Sequence, residues 1–419
     1  MREAGGMTSP SPLPSRPTPP SPARSVLSGA RRLLDASDAR TAARLHSVDD
    51  ARRVAHGRLP PVVFDYIEGG ADDEVTMRAN EAAFADRAFR PRAAAGRLDP
   101  SLRTTVLGTP LSLPVLLAPC GLVRIFHPDG PAGAARAAAS RGTVSVLSTV
   151  AGSPLEEVIA AARTPVWFQL YASGGRPQAE ALCQGAADAG VEVLMVTVDT
   201  PALGNRLRDV RHGVAPPLRV DAHNAVQLGA QVMVKPRWAL RLAGTGLRLS
   251  RRGAGPADSG GTGMLTMAAS PFSWDDVAHL RSRWPGRLMV KGVLTGEDAR
   301  RAADAGADAV VVSNHGGRQL DGAPATLAAL PEVVAAVGDR TEVLLDSGVR
   351  RGSHVVLALA LGARAVLIGR PYLYGLAAAG QHGVERVLDI LAAEMHRTLL
   401  LLGCPSVEEL GPDWVAPAR

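Results

Sequence analysis

Eight short apolar runs, each closing on a polar or glycine residue and each followed by an Ala/Gly-rich helical segment, limit what this chain can fold into. They are PVLLAP (114–119), VSVLST (144–149), VWFQLY (166–171), VEVLMVTVD (191–199), RLMVKG (287–292), DAVVVSNHG (308–316), EVLLDSG (342–348) and AVLIGR (365–370). Runs that are apolar throughout, rather than alternating, read as strands covered on both faces, as in a parallel sheet flanked by helices. Eight such units predict an α/β chain folded as a (β/α)8 TIM barrel rather than an open doubly wound sheet. No G-x-G-x-x-G follows the first run, which further disfavours the open sheet.

The flanking segments read differently. Residues 1–30 are rich in Pro, Ser and Gly and lack an apolar run, so residues 1–46 are expected to be a disordered tail without a secretory leader. From residue 47, SVDDARRVAHGRLP has an N-cap serine, acids in its first turn and a stop at Pro60 and Pro61. With VVFDYIEGGADDEVTMRANEAAFADRAF, it forms an N-terminal helical extension of a barrel domain spanning 47–419. Residues 214–272 interrupt the fourth and fifth units as a lid or insertion, and HGVERVLDILAAEMHRTLLLLG reads as a closing helix.

The net charge of +6 is concentrated: residues 1–60 carry +5, KPRWALRLAGTGLRLSRR (235–252) carries +6, and the remainder sums to about −5. A nucleic-acid partner is not expected, because no basic face spreads over the fold and 4% aromatic residues offer few stacking platforms. In 235–252, Trp238, Leu240, Leu242, Leu247 and Leu249 are interleaved with cations. That pattern suits a peripheral membrane or redox-partner contact as well as a solvated basic helix. No run of about 18 apolar residues occurs, so the expected location is cytoplasmic, at most peripheral at the inner face of the membrane. Three cysteines without C-x-x-C spacing fit a reducing compartment and predict neither disulfide nor metal site.

Polar residues gather where the predicted strands end: Ser148, Gln169, Tyr171, Thr197, Asp199, Lys291, His315 and Asp346. In a parallel barrel these positions converge on one mouth, where barrel enzymes carry their chemistry. The last two strands run into DSGVRRG (346–352) and GRP (369–371), in the two units that commonly bind phosphate through backbone N–H groups and helix N-termini. His315 is flanked by glycine and followed by Arg318, which suits proton abstraction from an anionic substrate; Asp199 is placed to hold the imidazole. Lys291 is one of only two lysines against 44 arginines, so its position is one where arginine does not substitute, or a chance survivor.

The segments FDYIEGGADDEVTMRAN, HPDGPAGAARAA, FQLY, TVDTPALGNRLRDVR, KGVLTGEDA, SNHGGRQLDGAPAT, DSGVRRG and ALGARAVLIGRP strongly resemble the FMN-dependent α-hydroxy-acid dehydrogenase/oxidase family over about residues 47–410. That family includes glycolate oxidase, flavin-linked L-lactate dehydrogenases and mandelate dehydrogenase. The resemblance implies FMN as cofactor and oxidation of an L-2-hydroxy acid to a 2-oxo acid, with oxygen or another acceptor taking the electrons. It implies His315 as base, Asp199 as its partner, and Tyr171 on the substrate hydroxyl. Tyr66, Arg206 and Arg318 would hold the carboxylate. Pro119, Cys120, Gly121, Ser148, Gln169, Thr197, Lys291 and Ser313 would surround the flavin ring. Asp346, Gly348, Arg350, Gly369 and Arg370 would line the ribityl and phosphate end. A homo-oligomer, a tetramer in many relatives, is also implied.

Several positions depart from the family pattern. The usual Asp-Gly-Gly is Asp346-Ser347-Gly348 here, predicting an added hydrogen bond or, at positive φ, crowding. Pro131 stands where an acid usually follows H-P-D-G, altering a helix start. Gly121 and Val150 are small and suggest room for a side chain larger than that of glycolate. Two other readings stay open: a peptide-precursor-modifying flavoenzyme of the same family, and a phosphate-binding aldolase using Lys291 as a Schiff base.

Overall fold

The computed structural model describes residues 22–97, 99–171, 173–214, 229–243 and 272–418. All eight predicted runs are strands of one closed parallel barrel. They are β1 (Val115–Leu117), β2 (Ser145–Ser148), β3 (Val166–Leu170), β4 (Val193–Thr197), β5 (Arg287–Val293), β6 (Ala309–Val312), β7 (Glu342–Leu345) and β8 (Ala365–Ile368). The ring closes where Val366, Leu367 and Ile368 of β8 pair with Val115, Leu116 and Leu117 of β1. The (β/α)8 reading therefore holds.

Two buried clusters follow from strand alternation. Leu116, Val146, Trp167, Met195, Met289, Val311, Leu344 and Leu367 form the barrel interior, together with Val106 and Leu111. Their strand neighbours, such as Leu117, Leu147, Phe168 and Val290, pack outward in the larger cluster with the helices. Val106 and Leu111 come from an antiparallel hairpin, Thr104–Val106 with Thr109–Leu111. A second antiparallel pair joins Arg87–Phe89 to Val415–Pro417. Strand β5 carries a register irregularity between Lys291 and Val293. Gly292 sits there at φ +109, and a Cβ would lie 2.6 Å from that of Asp199. The bulge thus lets β5 pass close beside Asp199.

The helical extension begins earlier than expected. Ser47 caps the helix Val48–Arg58 through the Asp50 amide, as the sequence indicates. A helix also spans Pro22–Ala43, correcting the second half of the disordered reading of 1–46; residues 1–21 lie outside the described residues. The chain divides into two units after Ser37. Within the second, the reason for order is plain: Ala42 and Leu45 are buried, and the buried Asp38 accepts hydrogen bonds from Arg58 at 2.9 Å and from both terminal nitrogens of Arg241 at 3.0 Å. His127 Nε2 lies 3.3 Å away. Burial opposes the Asp38 charge, but His127 and Arg241 more than offset it and hold its pKa far below the usual carboxylate range.

Asp38→Ala should therefore lower stability by about 3–5 kcal/mol, read as a fall in Tm, because two guanidiniums lose their shared partner. With the folded pKa depressed, this contribution is complete above about pH 4 and is lost as the pH falls below it.

Arg241 belongs to the helix Pro236–Ala243, within the insertion. Trp238 donates from its indole nitrogen to the Ile125 carbonyl at 2.9 Å, and Leu242 is buried. Among the described part of 235–252, only Leu240 of the three apolar residues points outward, at 74% exposure. Within 235–243, the exposed apolar surface is thus narrower than the sequence pattern suggests. Leu247, Leu249 and the Gly-rich 253–263 lie outside the described residues. Among the described residues, no helix is long and apolar enough to cross a membrane.

Candidate active site

The alternation that builds the barrel core also builds the site. Two residues beyond the inward-facing Val146, Trp167, Met195, Met289, Val311 and Leu344 stand Ser148, Gln169, Thr197, Lys291, Ser313 and Asp346. All six are buried, so the last inward layer at the strands' C-terminal ends is polar. A polar layer there requires internal partners. Ser148 donates to Gln169 Oε1 at 2.6 Å, and Gln169 Nε2 donates to Thr197 Oγ1 at 3.0 Å. Across the mouth, the Lys291 ammonium donates to Ser313 Oγ at 2.9 Å and pairs with Asp346 Oδ2 at 3.2 Å. Burial works against the Lys291 charge, but Asp346 and Asp199 outweigh it and raise the pKa. The lysine is therefore a fixed cation.

Above this layer, His315 Nδ1 lies 3.1 Å and 3.2 Å from the two oxygens of Asp199, and His315 Nε2 lies 3.2 Å from the Tyr171 hydroxyl. His315 has φ +59, and the glycine after it takes φ +70. This left-handed stretch turns the chain sharply at the end of β6 and brings the ring over the mouth. Burial lowers the His315 pKa, Asp199 opposes that shift, and Lys291 adds to it; the net direction is down. His315 and Lys291 hold Asp199 ionised against its burial. Burial keeps the Tyr171 phenol protonated.

One cavity is lined by Tyr66, Pro119, Cys120, Gly121, Val150, Tyr171, Arg206, Lys291, His315, Arg318, Asp346, Gly348, Arg350, Gly369 and Arg370. Sequence reasoning singled out each of these. Asp199, Ser148, Gln169, Thr197 and Ser313 are not among its lining residues and adjoin it through the bonding patterns above. Ile67, Val349 and Leu373 also line it and were not anticipated, being apolar residues without a chemical signature. Also missed was the buried reciprocal pair of Asn80 and Asn314, whose amides exchange hydrogen bonds of 2.9 Å and 2.8 Å beneath the His315 loop.

The cationic residues divide into two kinds. Burial, reinforced by Arg318, lowers the Arg206 pKa to about 10, and its buried Nε has no hydrogen-bond partner. Arg318 donates to the carbonyls of Tyr66 and Gly69, each at 2.8 Å, and its guanidinium lies 5.1 Å from the centre of the Tyr66 ring. Arg350 instead pairs with the half-exposed Glu81 at 2.7 Å. Arg370 spreads its donors over the carbonyls of Ile67, Gly69 and Gly316 at 2.8–3.0 Å, bracing the N-terminal extension against the end of β8. Gly348, at φ +84, has a packing requirement of its own, since a Cβ would lie 2.2 Å from the Asn80 carbonyl oxygen.

Of the two consequences foreseen for Ser347, the added hydrogen bond is present: at φ +74, its hydroxyl donates to Asp346 Oδ1 at 2.7 Å while accepting from the Gly316 amide at 2.9 Å. Pro131 lies in the first turn of the helix Gly130–Ser140, where its missing N–H is harmless.

This donor set suits a planar, hydrogen-bonding ring that becomes electron-rich, with an anionic tail. A fixed cation stands beside a chain of side-chain amide and hydroxyl groups. The Arg206 nitrogen awaits an acceptor, and a Cβ at Gly369 would meet only the Cys120 sulfur, at 3.6 Å.

Comparisons with known proteins agree with that chemistry. Residues 55–417 match the family model described as FMN-dependent dehydrogenase. The chain is similar to L-lactate dehydrogenase of Xanthomonas campestris pv. campestris, 42% identical over 376 residues, covering 88% of this chain and 96% of the relative. It is equally similar to pre-mycofactocin synthase of Mycobacterium tuberculosis, 43% identical over 371 residues, covering 86% and 92%. Among solved structures, the monotopic membrane protein (S)-mandelate dehydrogenase matches with a TM-score of 0.82 at 38% identity, covering 89% of this chain and 100% of that one. The chain therefore belongs to the FMN-dependent dehydrogenase family and is a flavoprotein oxidoreductase acting on CH–OH donors.

Proposed function

We propose that the protein oxidises an L-2-hydroxy acid, of lactate or mandelate type or with a longer side chain, to the corresponding 2-oxo acid. The observation that carries this reading is the partly buried Tyr171–His315–Asp199 relay beside the same cavity as Arg206 and Arg318. An imidazole held by a carboxylate on Nδ1 has Nε2 free in role to accept a proton, and Asp199 stabilises the imidazolium that results. Two neighbouring guanidiniums call for an anion, which the substrate carboxylate supplies with help from Tyr66. Tyr171, held protonated, donates to or orients the substrate hydroxyl.

FMN supplies the two-electron acceptor when bound. Ser148, Gln169, Thr197 and the backbone of Pro119, Cys120 and Gly121 would face its ring, and Lys291, steadied by Ser313 and Asp346, would supply the cation beside it. Gly348, Arg350, Gly369 and Arg370 would hold the phosphate. Of these, Arg350 is the more adaptable, since it needs only to exchange Glu81 for a phosphate oxygen, whereas Arg370 already braces three carbonyls.

A Schiff-base role for Lys291 requires a neutral amine, and the carboxylates around it favour the charged form, so the aldolase reading loses its chemistry. The likeness to pre-mycofactocin synthase supports a second reading, modification of a peptide-derived precursor. Arg206 and Arg318 favour the acid. Anaerobic mixing with a panel of 2-hydroxy acids should bleach the flavin, and readmitting oxygen then separates an oxidase from a dehydrogenase that needs another acceptor. If no 2-hydroxy acid bleaches it, the proposal is wrong.

Substrate size rests on Val150 more than on Gly121. A Cβ at Gly121 would lie 3.0 Å from the Tyr66 hydroxyl and 3.2 Å from Val150 Cγ2, so the space over that glycine is already contested. Each methylene buried in the remaining apolar room contributes about 0.8 kcal/mol. Mandelate or 2-hydroxyoctanoate should therefore exceed glycolate by roughly 10- to 100-fold in kcat/KM. Val150→Trp should remove most of that preference by penalising the larger acids. Equal turnover of glycolate and mandelate by the unmodified enzyme would contradict a large pocket.

A further inference from the structure

We infer that Ser347 is a positioning residue that couples the His315 loop to the Lys291–Asp346 charge pair, and so sets how strongly Lys291 favours the reduced flavin. The inference rests on the proposed placement of Lys291 beside FMN. Serine at φ +74 occupies a region that disfavours any residue with a Cβ, and glycine would sit there more easily. What serine adds is its hydroxyl. That group donates to Asp346 Oδ1 at 2.7 Å and accepts from the Gly316 amide at 2.9 Å.

The carboxylate is thereby divided. Its Oδ1 is occupied by Ser347, and its Oδ2 faces Lys291 at 3.2 Å. A hydrogen bond to one oxygen draws negative charge away from the other, leaving more of the ammonium's field for the cavity. The backbone behind the hydroxyl is pinned as well: Thr326 Oγ1 donates to the Asp346 carbonyl at 2.6 Å and approaches that of Ser347 at 3.3 Å. On the other side, Gly316 directly follows His315, whose own φ is +59. The same hydroxyl thus fixes the amide next to the base. Without it, Asp346 is released to turn both oxygens toward Lys291, and the Gly316 amide loses its acceptor.

Two variants separate this role from a structural one. Ser347→Ala keeps the Cβ, and with it the backbone penalty, but removes the hydroxyl; Ser347→Gly removes both. For each holoenzyme we would measure the two-electron potential of bound FMN, the anaerobic rate of flavin reduction and Tm. Both variants should shift the reduction equilibrium toward oxidised flavin about tenfold, equivalent to about 30 mV. Ser347→Gly should unfold no earlier than the unmodified protein. Unchanged potentials in both variants would overturn the inference, as would losses that appear only where Tm also falls. Lys291→Met, measured in parallel, keeps the two ideas apart. If it shifts the potential while the serine variants do not, Ser347 alone is misassigned; if none of the three shifts it, the placement of Lys291 fails with it.

Discussion

His315→Ala and His315→Gln are expected to slow flavin reduction by at least about 100-fold, the lower range for losing a general base, while FMN stays bound. The residue contributes little to the proposed cofactor contacts, so binding and chemistry should separate cleanly. Its two ring nitrogens have different duties: Nδ1 faces both oxygens of Asp199, and Nε2 faces Tyr171 and the cavity. Asp199→Asn should therefore also be slow, because the imidazolium formed on proton transfer loses its counter-charge. The pH profile provides an independent check. Burial lowers the His315 pKa despite the opposing pull of Asp199, so the neutral base persists below the ordinary imidazole value of about 6.5. The acid limb of kcat/KM should lie below that value. In Asp199→Asn, which removes the opposing pull, the limb should move further toward acid. Near-normal bleaching in His315→Gln would show that another group takes the proton.

Lys291→Met should lower the flavin potential and slow reduction by about 10- to 100-fold, or roughly 1.4–2.8 kcal/mol in barrier. The ammonium is buried, and Asp346 and Ser313 hold it in place, so its charge is weakly screened. Met is similar in length and apolar, and Asp346 keeps its hydrogen bond from Ser347, so the fold should survive. Lys291→Arg is the sharper experiment. A planar guanidinium cannot place a single compact charge between Ser313 Oγ and Asp346 Oδ2, so this charge-conserving change should still lose at least about tenfold in rate. A fully active Arg variant would return the lysine to chance survival in an arginine-rich chain.

The barrel was legible because strands covered on both faces leave continuous apolar runs, and all eight appear where those runs lie. The same alternation made much of the site legible: a polar residue breaking an apolar strand at its C-terminal end, as Gln169 or Lys291 does, has nowhere to point but the mouth. Short outer strands such as Thr104–Val106 and Val415–Pro417 escaped, since three residues carry no period and their pairing is set by distant partners. The helix Pro22–Ala43 was hidden by the Pro/Ser composition before it, and its last turns are anchored where Asp38 meets Arg58 and Arg241, which no local pattern announces. Trp238 and Leu242 lie four residues apart and so share one side of their helix, but sequence spacing does not say whether that side faces water or protein. Arg370 illustrates the limit for charges: its neighbours in sequence suggest an anion, and its neighbours in space are carbonyls.

The closure of β8 on β1 also imposes an order in time. On a ribosome adding about 5–20 residues per second, β1 leaves the tunnel tens of seconds before β8 is made, and until then it has only one of its two neighbours. Tyr66 and Gly121 are synthesised early, His315 and Lys291 late, and Arg370 follows last. A nascent chain halted before β8 thus has an open seam where Ile368 should meet Leu117, with no Gly369 or Arg370 to finish the cavity. Cofactor capture is consequently expected to wait for the end of synthesis, and arrested chains shorter than about 365 residues should remain colourless in the presence of free FMN.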